Sequence, residues 1–295
     1  MFRLLALPFR LLYWLMRMIF QAVILIVAVG GTCWAVYQYT PLDEFFKARI
    51  QKYIGKYESA VQLYRKGLAA HPNSRWSPQA RYELGMTLSE LGHTEEAIGH
   101  LTQALSVLTD DGIRKEATLK IAESYEEEQN WTQALDNYTH ARDAFHTDYG
   151  LHAHIVYRSG HCYEQLGNLQ EATRCYRLVV RERPTSHEAP RAQFAIAQIA
   201  ERKKDNHEAI KEYKTLVERY SQTDDAVHAR KRIAELLLRN KQYKKALDAY
   251  IDWLAVAPRA VRWRIDKDDI RKGQEIVEDL KMRLGRDEKT KPITP

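Results

Sequence analysis

Gly160–Pro184 reads GHCYEQLGNLQEATRCYRLVVRERP, and this stretch decides the fold. Its apolar residues recur at helical spacing on either side of Gly167, so it describes two short amphipathic helices around a tight turn. Gly167 suits a left-handed helix end, and Pro184 cannot continue a helix. Gly160 and Ala172 are small where the two helices meet, while Tyr163 and Tyr176 are large enough to fill the space beside that contact.

The unit recurs. Taking the small residue of the second helix as a marker, copies fall at Ala60, Ala97, Ala134, Ala172, Ala209 and Ala246, spaced 37, 37, 38, 37 and 37 residues apart. Four residues after each marker stand Tyr64, Leu101, Tyr138, Tyr176, Tyr213 and Tyr250. The preceding helix of most copies carries an apolar–small pair or a variant of it: Leu84-Gly85, Ile121-Ala122, Ser159-Gly160, Ile196-Ala197 and Ile233-Ala234. The closing proline is present in three copies, as Pro72, Pro184 and Pro258. A fixed period of this length is the mark of stacked helical hairpins. Gly85, Ala97, Ala134, Gly160, Ala172, Tyr176, Ala209, Tyr213, Ala246 and Tyr250 are the expected packing residues.

This pattern resembles the tetratricopeptide repeat, over roughly Pro41 to Pro258. The period departs from the standard unit of about 34 residues. With linkers such as HPNSRWSPQARYELG and RPTSHEAPRAQFAIA, the longer unit looks most like a bacterial envelope subgroup. That subgroup includes an outer-membrane assembly lipoprotein and a periplasmic, Tol-associated division coordinator. The resemblance implies an all-α fold: a right-handed α-solenoid of about six hairpins over 41–258, closed by a capping helix over 259–285. Ile270, Ile276, Leu280 and Leu284 suit the covering of copy six, Gly285 suits the end of that helix, and 286–295 reads as a disordered tail.

Residues 18–37, MIFQAVILIVAVGGTCWAVY, are 20 uncharged residues, long enough to cross a bilayer as a helix. Trp34, Tyr37 and Tyr39 stand at the far end, where interfacial aromatics belong. No small-x-small cleavage pattern follows, and no aliphatic residue stands three before Cys33, so 18–39 reads as an uncleaved signal anchor and not as a lipoprotein signal. Before it, Arg3, Arg10 and Arg17 share one helical face over 1–17, opposite Leu, Phe and Trp, which describes a basic amphipathic segment. Three arginines and no acid precede the span, while Asp43 and Glu44 follow it. The positive-inside rule then places the N-terminus in the cytoplasm and the repeats beyond the inner membrane.

Net charge is +6, unevenly spread. Residues 1–39 contribute +3 and residues 227–295 contribute +7, leaving the body between them at −4. The basic C-terminal end is a candidate for contact with an anionic surface, although a solvated helical face explains it as well. Nucleic-acid binding through Arg259, Arg262, Trp263 and Arg264 is the less favoured reading, since those residues also suit a capping surface. The three cysteines, Cys33, Cys162 and Cys175, form no Cys-x-x-Cys pair.

No phosphate loop, nucleophile elbow or His-Glu-x-x-His motif occurs, so neither an enzyme nor a cofactor is expected, and no metal site. Glu123, Glu126, Glu127 and Glu128 read as an acidic, solvated helix face. In the family this chain resembles, the first helices of successive hairpins line a groove. By that analogy the groove residues are Tyr82, Met86, Glu123, Glu127, His154, Tyr157, His161, Arg191, Phe194 and Gln198. Aromatic anchors flanked by charges suit a peptide or a partner helix. The carboxylate clamp of heat-shock co-chaperones is missing, because the corresponding positions hold Arg49, Met86, Glu123, His161, Gln198 and Glu235.

The resulting expectation is a membrane-anchored scaffold that binds protein partners in the bacterial envelope, in envelope assembly or in cell division. Two alternatives stay open: a periplasmic holdase associated with the translocon, and a cytosol-facing receptor.

Overall fold

The computed structural model describes residues 43–257 and 266–289. The expected span at 18–39, the basic segment before it, the cluster from Arg259 to Arg264 and the end of the tail lie outside those residues. Among the described residues no helix is long and apolar enough to cross a membrane.

Thirteen α-helices and no strands are found among the described residues. Six pairs follow in order: α1 (Asp43–Tyr53) with α2 (Tyr57–Ala70), α3 (Ser77–Glu90) with α4 (Thr94–Leu105), and α5 (Asp111–Glu127) with α6 (Trp131–Ala144). Then come α7 (Tyr149–Gln165) with α8 (Leu169–Glu182), α9 (Glu188–Arg202) with α10 (Asn206–Arg219), and α11 (Asp224–Arg239) with α12 (Tyr243–Val256). A last helix, α13, spans Lys267–Lys289. It passes through Gly285, where the sequence suggests an end. The residues that follow, Arg286 to Lys289, are ordinary helix formers, and one interior glycine costs a helix only about 1 kcal/mol.

The turn inside each pair repeats atom for atom. One residue takes a left-handed conformation: Gly55, Gly92, Gln129, Gly167, Lys204 and Lys241, with φ between 56° and 78°. Its N–H donates to the carbonyl three residues back at 2.9–3.1 Å, and the next N–H donates five back at 2.8–3.0 Å. This double bond satisfies the last carbonyls of the first helix. The residue after the left-handed one serves as N-cap of the second helix. Asn130, Asn168 and Asp205 accept a backbone N–H there with their side chains, whereas Lys56, His93 and Gln242 make no such bond. The left-handed site therefore lies five residues before each small marker residue, in all six pairs.

The chain forms two compact units, divided at Ser124/Tyr125 within α5. In the first, α1 to α4 pack each on the next around Phe45, Tyr64, Leu68, Leu84 and Leu88. A Cβ on Gly85 would stand 2.7 Å from the Leu101 side chain, so α3 and α4 meet there as closely as a glycine allows. In the second unit, α6 to α13 pack in sequence, and the first helices also neighbour each other, α7 with α9 and α9 with α11. Its core runs through Ile155, Tyr176, Ile199, Tyr213, Leu236 and Trp253. Burying each of these aliphatic side chains stabilises the fold by about 1.5–3 kcal/mol. Gly160 approaches Tyr176 as Gly85 does Leu101, with a Cβ placed 2.8 Å from the ring. Helix α13 docks by the same device, Gly273 lying flat against Trp253.

Candidate partner-binding face

Within the second unit, neighbouring first helices place equivalent positions side by side. Tyr157 of α7 and Phe194 of α9 stand one period apart. Each half-buried ring leans on the tyrosine of its own second helix, Tyr157 on Tyr176 at 5.5 Å and Phe194 on Tyr213 at 5.3 Å between centroids. On α11 the same position holds Lys231, whose ammonium sits 5.7 Å from the Trp253 ring. A ring fixed from behind loses little freedom on contact with a partner, which favours it as a binding anchor.

Polar groups border these rings. His154 lies 3.5 Å from the buried carboxylate of Glu188, and Arg191 is exposed. Burial pushes the Tyr157 hydroxyl above its ordinary pKa, with the Arg191 and Arg158 charges pulling the other way. Asp225 at the start of α11 is likewise raised by burial, with Arg191 opposing. Gln198 is half-buried on α9.

Behind the face runs a series of carboxylates. Glu126, Glu164 and Glu201 each accept the hydroxyl of the tyrosine twelve residues on, from Tyr138 at 2.7 Å, Tyr176 at 2.9 Å and Tyr213 at 3.4 Å. Each also holds a cation from the following first helix. Arg158 grips Glu126 with two nitrogens at 2.7 and 2.8 Å, Arg202 pairs with Glu164, and Arg232 donates to Glu201 at 2.5 Å. Arg239 adds a further bond to Glu201 at 3.2 Å. A buried carboxylate is tolerated only when paired and hydrogen-bonded, so each set fixes one hairpin against the next. Burial alone would raise the Glu126 pKa. The His161 and Tyr138 hydrogen bonds and the Arg158 charge outweigh it, and the net value lies below the usual carboxylate range.

The acidic, solvated face expected at 123–128 is therefore corrected at Glu126, whose side chain is only 5% exposed. Its neighbours fit that reading better: Glu127 and Glu128 are exposed, and Glu123 is half-buried in a pair with Lys120 at 2.6 Å. His161 is drawn into the Glu126 set at 2.9 Å, with its ring edge-on to Trp131. In the first unit Tyr82 is buried, its hydroxyl donating to Glu116 at 2.7 Å, while Met86 is half-buried. Among the expected groove residues the structure thus brings His154, Tyr157, Arg191, Phe194 and Gln198 onto neighbouring helices, and turns Tyr82 inward. The expected packing residues Gly85, Ala97, Ala134, Gly160, Ala172, Tyr176, Ala209, Tyr213, Ala246 and Tyr250 are all buried.

Sequence reasoning missed the glutamate–tyrosine–arginine sets. Their signal was present in the spacing, since Glu126, Glu164 and Glu201 stand 38 and 37 residues apart. Cys162 and Cys175 are free, and burial pushes their thiols up to about 12 and about 11.

Comparison with known proteins agrees with the repeated helical hairpins. Residues 82–187 match the family model for soluble NSF attachment protein, SNAP, and residues 194–260 match that for the tetratricopeptide repeat. A tetratricopeptide repeat protein from Parabacteroides merdae superposes with a TM-score of 0.53 at 15% identity, over 81% of this chain and 98% of its own. YrrB, a tetratricopeptide protein described as having an unusual peptide-binding site, gives 0.53 at 16%, over 67% and 96%. MamA gives 0.52 at 21%, over 62% and 92%. No curated protein matches the sequence. These likenesses are of fold. Together with the repeated hairpins, they make the chain a repeat protein of tetratricopeptide/SNAP-like architecture.

Proposed function

We propose that the chain is a membrane-anchored scaffold whose first-helix face in the second unit binds an extended segment or a helix of a protein partner. The observation that carries this reading is the pair Tyr157 and Phe194: rings braced from behind by Tyr176 and Tyr213, one repeat apart, beside the exposed Arg191. Such anchors spaced along neighbouring helices match the alternate side chains of a bound segment. The face bears both signs of charge, with Arg191 and His154 beside Glu188 and Asp225, so a partner of mixed charge fits it better than a polyanion. A fold shared with YrrB adds support, because a peptide-binding site is described for that protein on similar hairpins.

The uncharged run at 18–37 supplies the anchor in this reading, and the arginines before it set the hairpins on the far side of the inner membrane. Attachment raises the scaffold's concentration near other membrane machinery without adding any contact. The 37-residue unit supports a place in the bacterial envelope, in assembly or in division.

The test is cross-linking in cells from a photoreactive residue at position 191 of the full chain, with one at Ile251, exposed on α12, as the control. The proposal expects a discrete partner adduct at position 191 that is lost with Phe194→Ser. Equal yields of adduct at both positions would contradict it.

A further inference from the structure

Helix α1 is apolar on two sides. Its inner side, Phe45 and Ala48, is buried in the core of the first unit. Its outer side carries Ile50, Tyr53 and Ile54, which are 39%, 92% and 53% exposed. Residues three and four apart share one helix face, and the Ile54 N–H still bonds to the Ile50 carbonyl at 3.0 Å, so the three form one surface. Among the other large exposed apolar side chains of the described residues, such as Val107, Leu166 and Ile251, no two lie within four residues of each other in sequence. Single ones are ordinary, whereas a contiguous patch marks a contact surface.

The flanks are basic. Residues 43–57 hold four basic against two acidic side chains; Lys52 is engaged by Glu83 at 2.8 Å, while Arg49, 4.0 Å from the same carboxylate, and Lys56 are exposed beside the patch. The chain's own first segment, 1–17, has three arginines and no acid, and a second copy of α1 would bring the same basic flanks. Both are repelled by this surface, while an anionic bilayer is attracted to it. Position agrees as well. The uncharged run ends at Tyr37 and α1 begins at Asp43, a separation of at most about 20 Å of chain.

We propose that the outer face of α1 lies in the headgroup boundary of an anionic bilayer, with Ile50, Tyr53 and Ile54 seated among the lipids and Arg49 and Lys56 on their phosphates. Amphipathic helices bind this way by combining apolar burial with attraction to anionic lipid. The inference rests on the membrane attachment proposed above and adds that the first hairpin lies on the surface. In that arrangement the anchor does not hold the hairpins away on a free tether, and α1 fixes how the array leaves the membrane.

The experiment uses the full chain reconstituted in vesicles of phosphatidylethanolamine and phosphatidylglycerol. Tyr53 is replaced by the photo-crosslinking residue p-benzoylphenylalanine, with a parallel sample replaced at Leu166. Tyr53 projects into solvent, so the replacement leaves the core intact. The expected result is a lipid adduct several-fold more abundant at position 53 than at 166, reduced by Ile50→Ser and Ile54→Ser together. If the chain floats with the vesicles but position 53 links to residues 1–40 or to a second copy, the surface contact is overturned and membrane attachment stands. If the chain does not float with the vesicles, attachment fails and the inference falls with it.

Discussion

Hairpin α7–α8 and hairpin α1–α2 are two copies of one unit, completed to different degrees. In α7–α8 the turn residue is Gly167, the N-cap is Asn168 with its side-chain bond, and Tyr176 donates to Glu164, which Arg202 holds in turn. In α1–α2 the turn residue is Gly55, but the N-cap Lys56 makes no side-chain bond, and among the described residues the buried Tyr64 hydroxyl has no hydrogen-bond partner. The position twelve before Tyr64 is Lys52, which reaches Glu83 at 2.8 Å instead. A large buried side chain is therefore what repeats, a tyrosine in five copies and Leu101 in the other, and the carboxylate is an addition that fixes hairpins to one another.

Breaking the carboxylate sets should give the largest effect. Glu126→Leu leaves Arg158 unpaired in a half-buried site and is expected to destabilise by about 3 kcal/mol, the low end for a buried pair because Arg158 keeps a third of its side chain in water. Urea unfolding followed by circular dichroism measures this. An unchanged midpoint would remove the glutamate from the account of stability.

Next come the close approaches. Gly160→Ala drives a Cβ to 2.8 Å from the buried Tyr176 ring and is expected to cost roughly 1–3 kcal/mol. The comparison sharpens at the tyrosines. Tyr138→Phe removes a hydrogen bond to a charged acceptor and should cost about 1.5–3 kcal/mol, whereas Tyr64→Phe removes only an unpartnered hydroxyl and should be neutral or slightly stabilising. Equal losses at both positions would show that the partner makes no difference.

The smallest effects belong to the turns. Lys204 and Gly167 hold the same left-handed conformation, yet only glycine does so freely. Lys204→Gly should stabilise by roughly 0.5–1 kcal/mol and Gly167→Ala should destabilise by about as much. Thermal melts of the two variants beside the wild type check the opposite signs.

A pH dependence follows from Glu126. Its pKa is lowered in the folded state, so its contribution is fully present above the unfolded value of about 4.3 and is lost as pH falls through the lower folded value. Glu44 and Glu96 are also lowered, by Lys66 and Arg65, so the wild type loses stability in acid from several sources. The loss between about pH 5 and pH 3 should be smaller in Glu126→Gln than in the wild type, read from unfolding midpoints across that window.

Much of the fold was legible because the repeat is written in residue size. The six marker alanines are all fully buried, and a left-handed residue stands five before each of them. Glycine announced only three of those turns. Gln129, Lys204 and Lys241 carry no local signal, and only the period finds them. The candidate site was harder to read, because a helical face can turn toward a groove or toward the next hairpin with the same spacing. Tyr82 turned inward to Glu116, while Tyr157 and Phe194 stayed half-exposed. Glu126 misled for a related reason: within a run of acids its burial depends on Arg158, thirty-two residues away in sequence.

The proposed scaffold sets the hairpins beyond the inner membrane, and one measurement tests that proposal. A reporter active only outside the cytoplasm is fused after Pro295 of the full chain, with a cytoplasm-only fluorescent reporter as its counterpart. The account predicts activity outside and no fluorescence inside. Fluorescence inside would contradict it, and a cytosol-facing receptor would take its place.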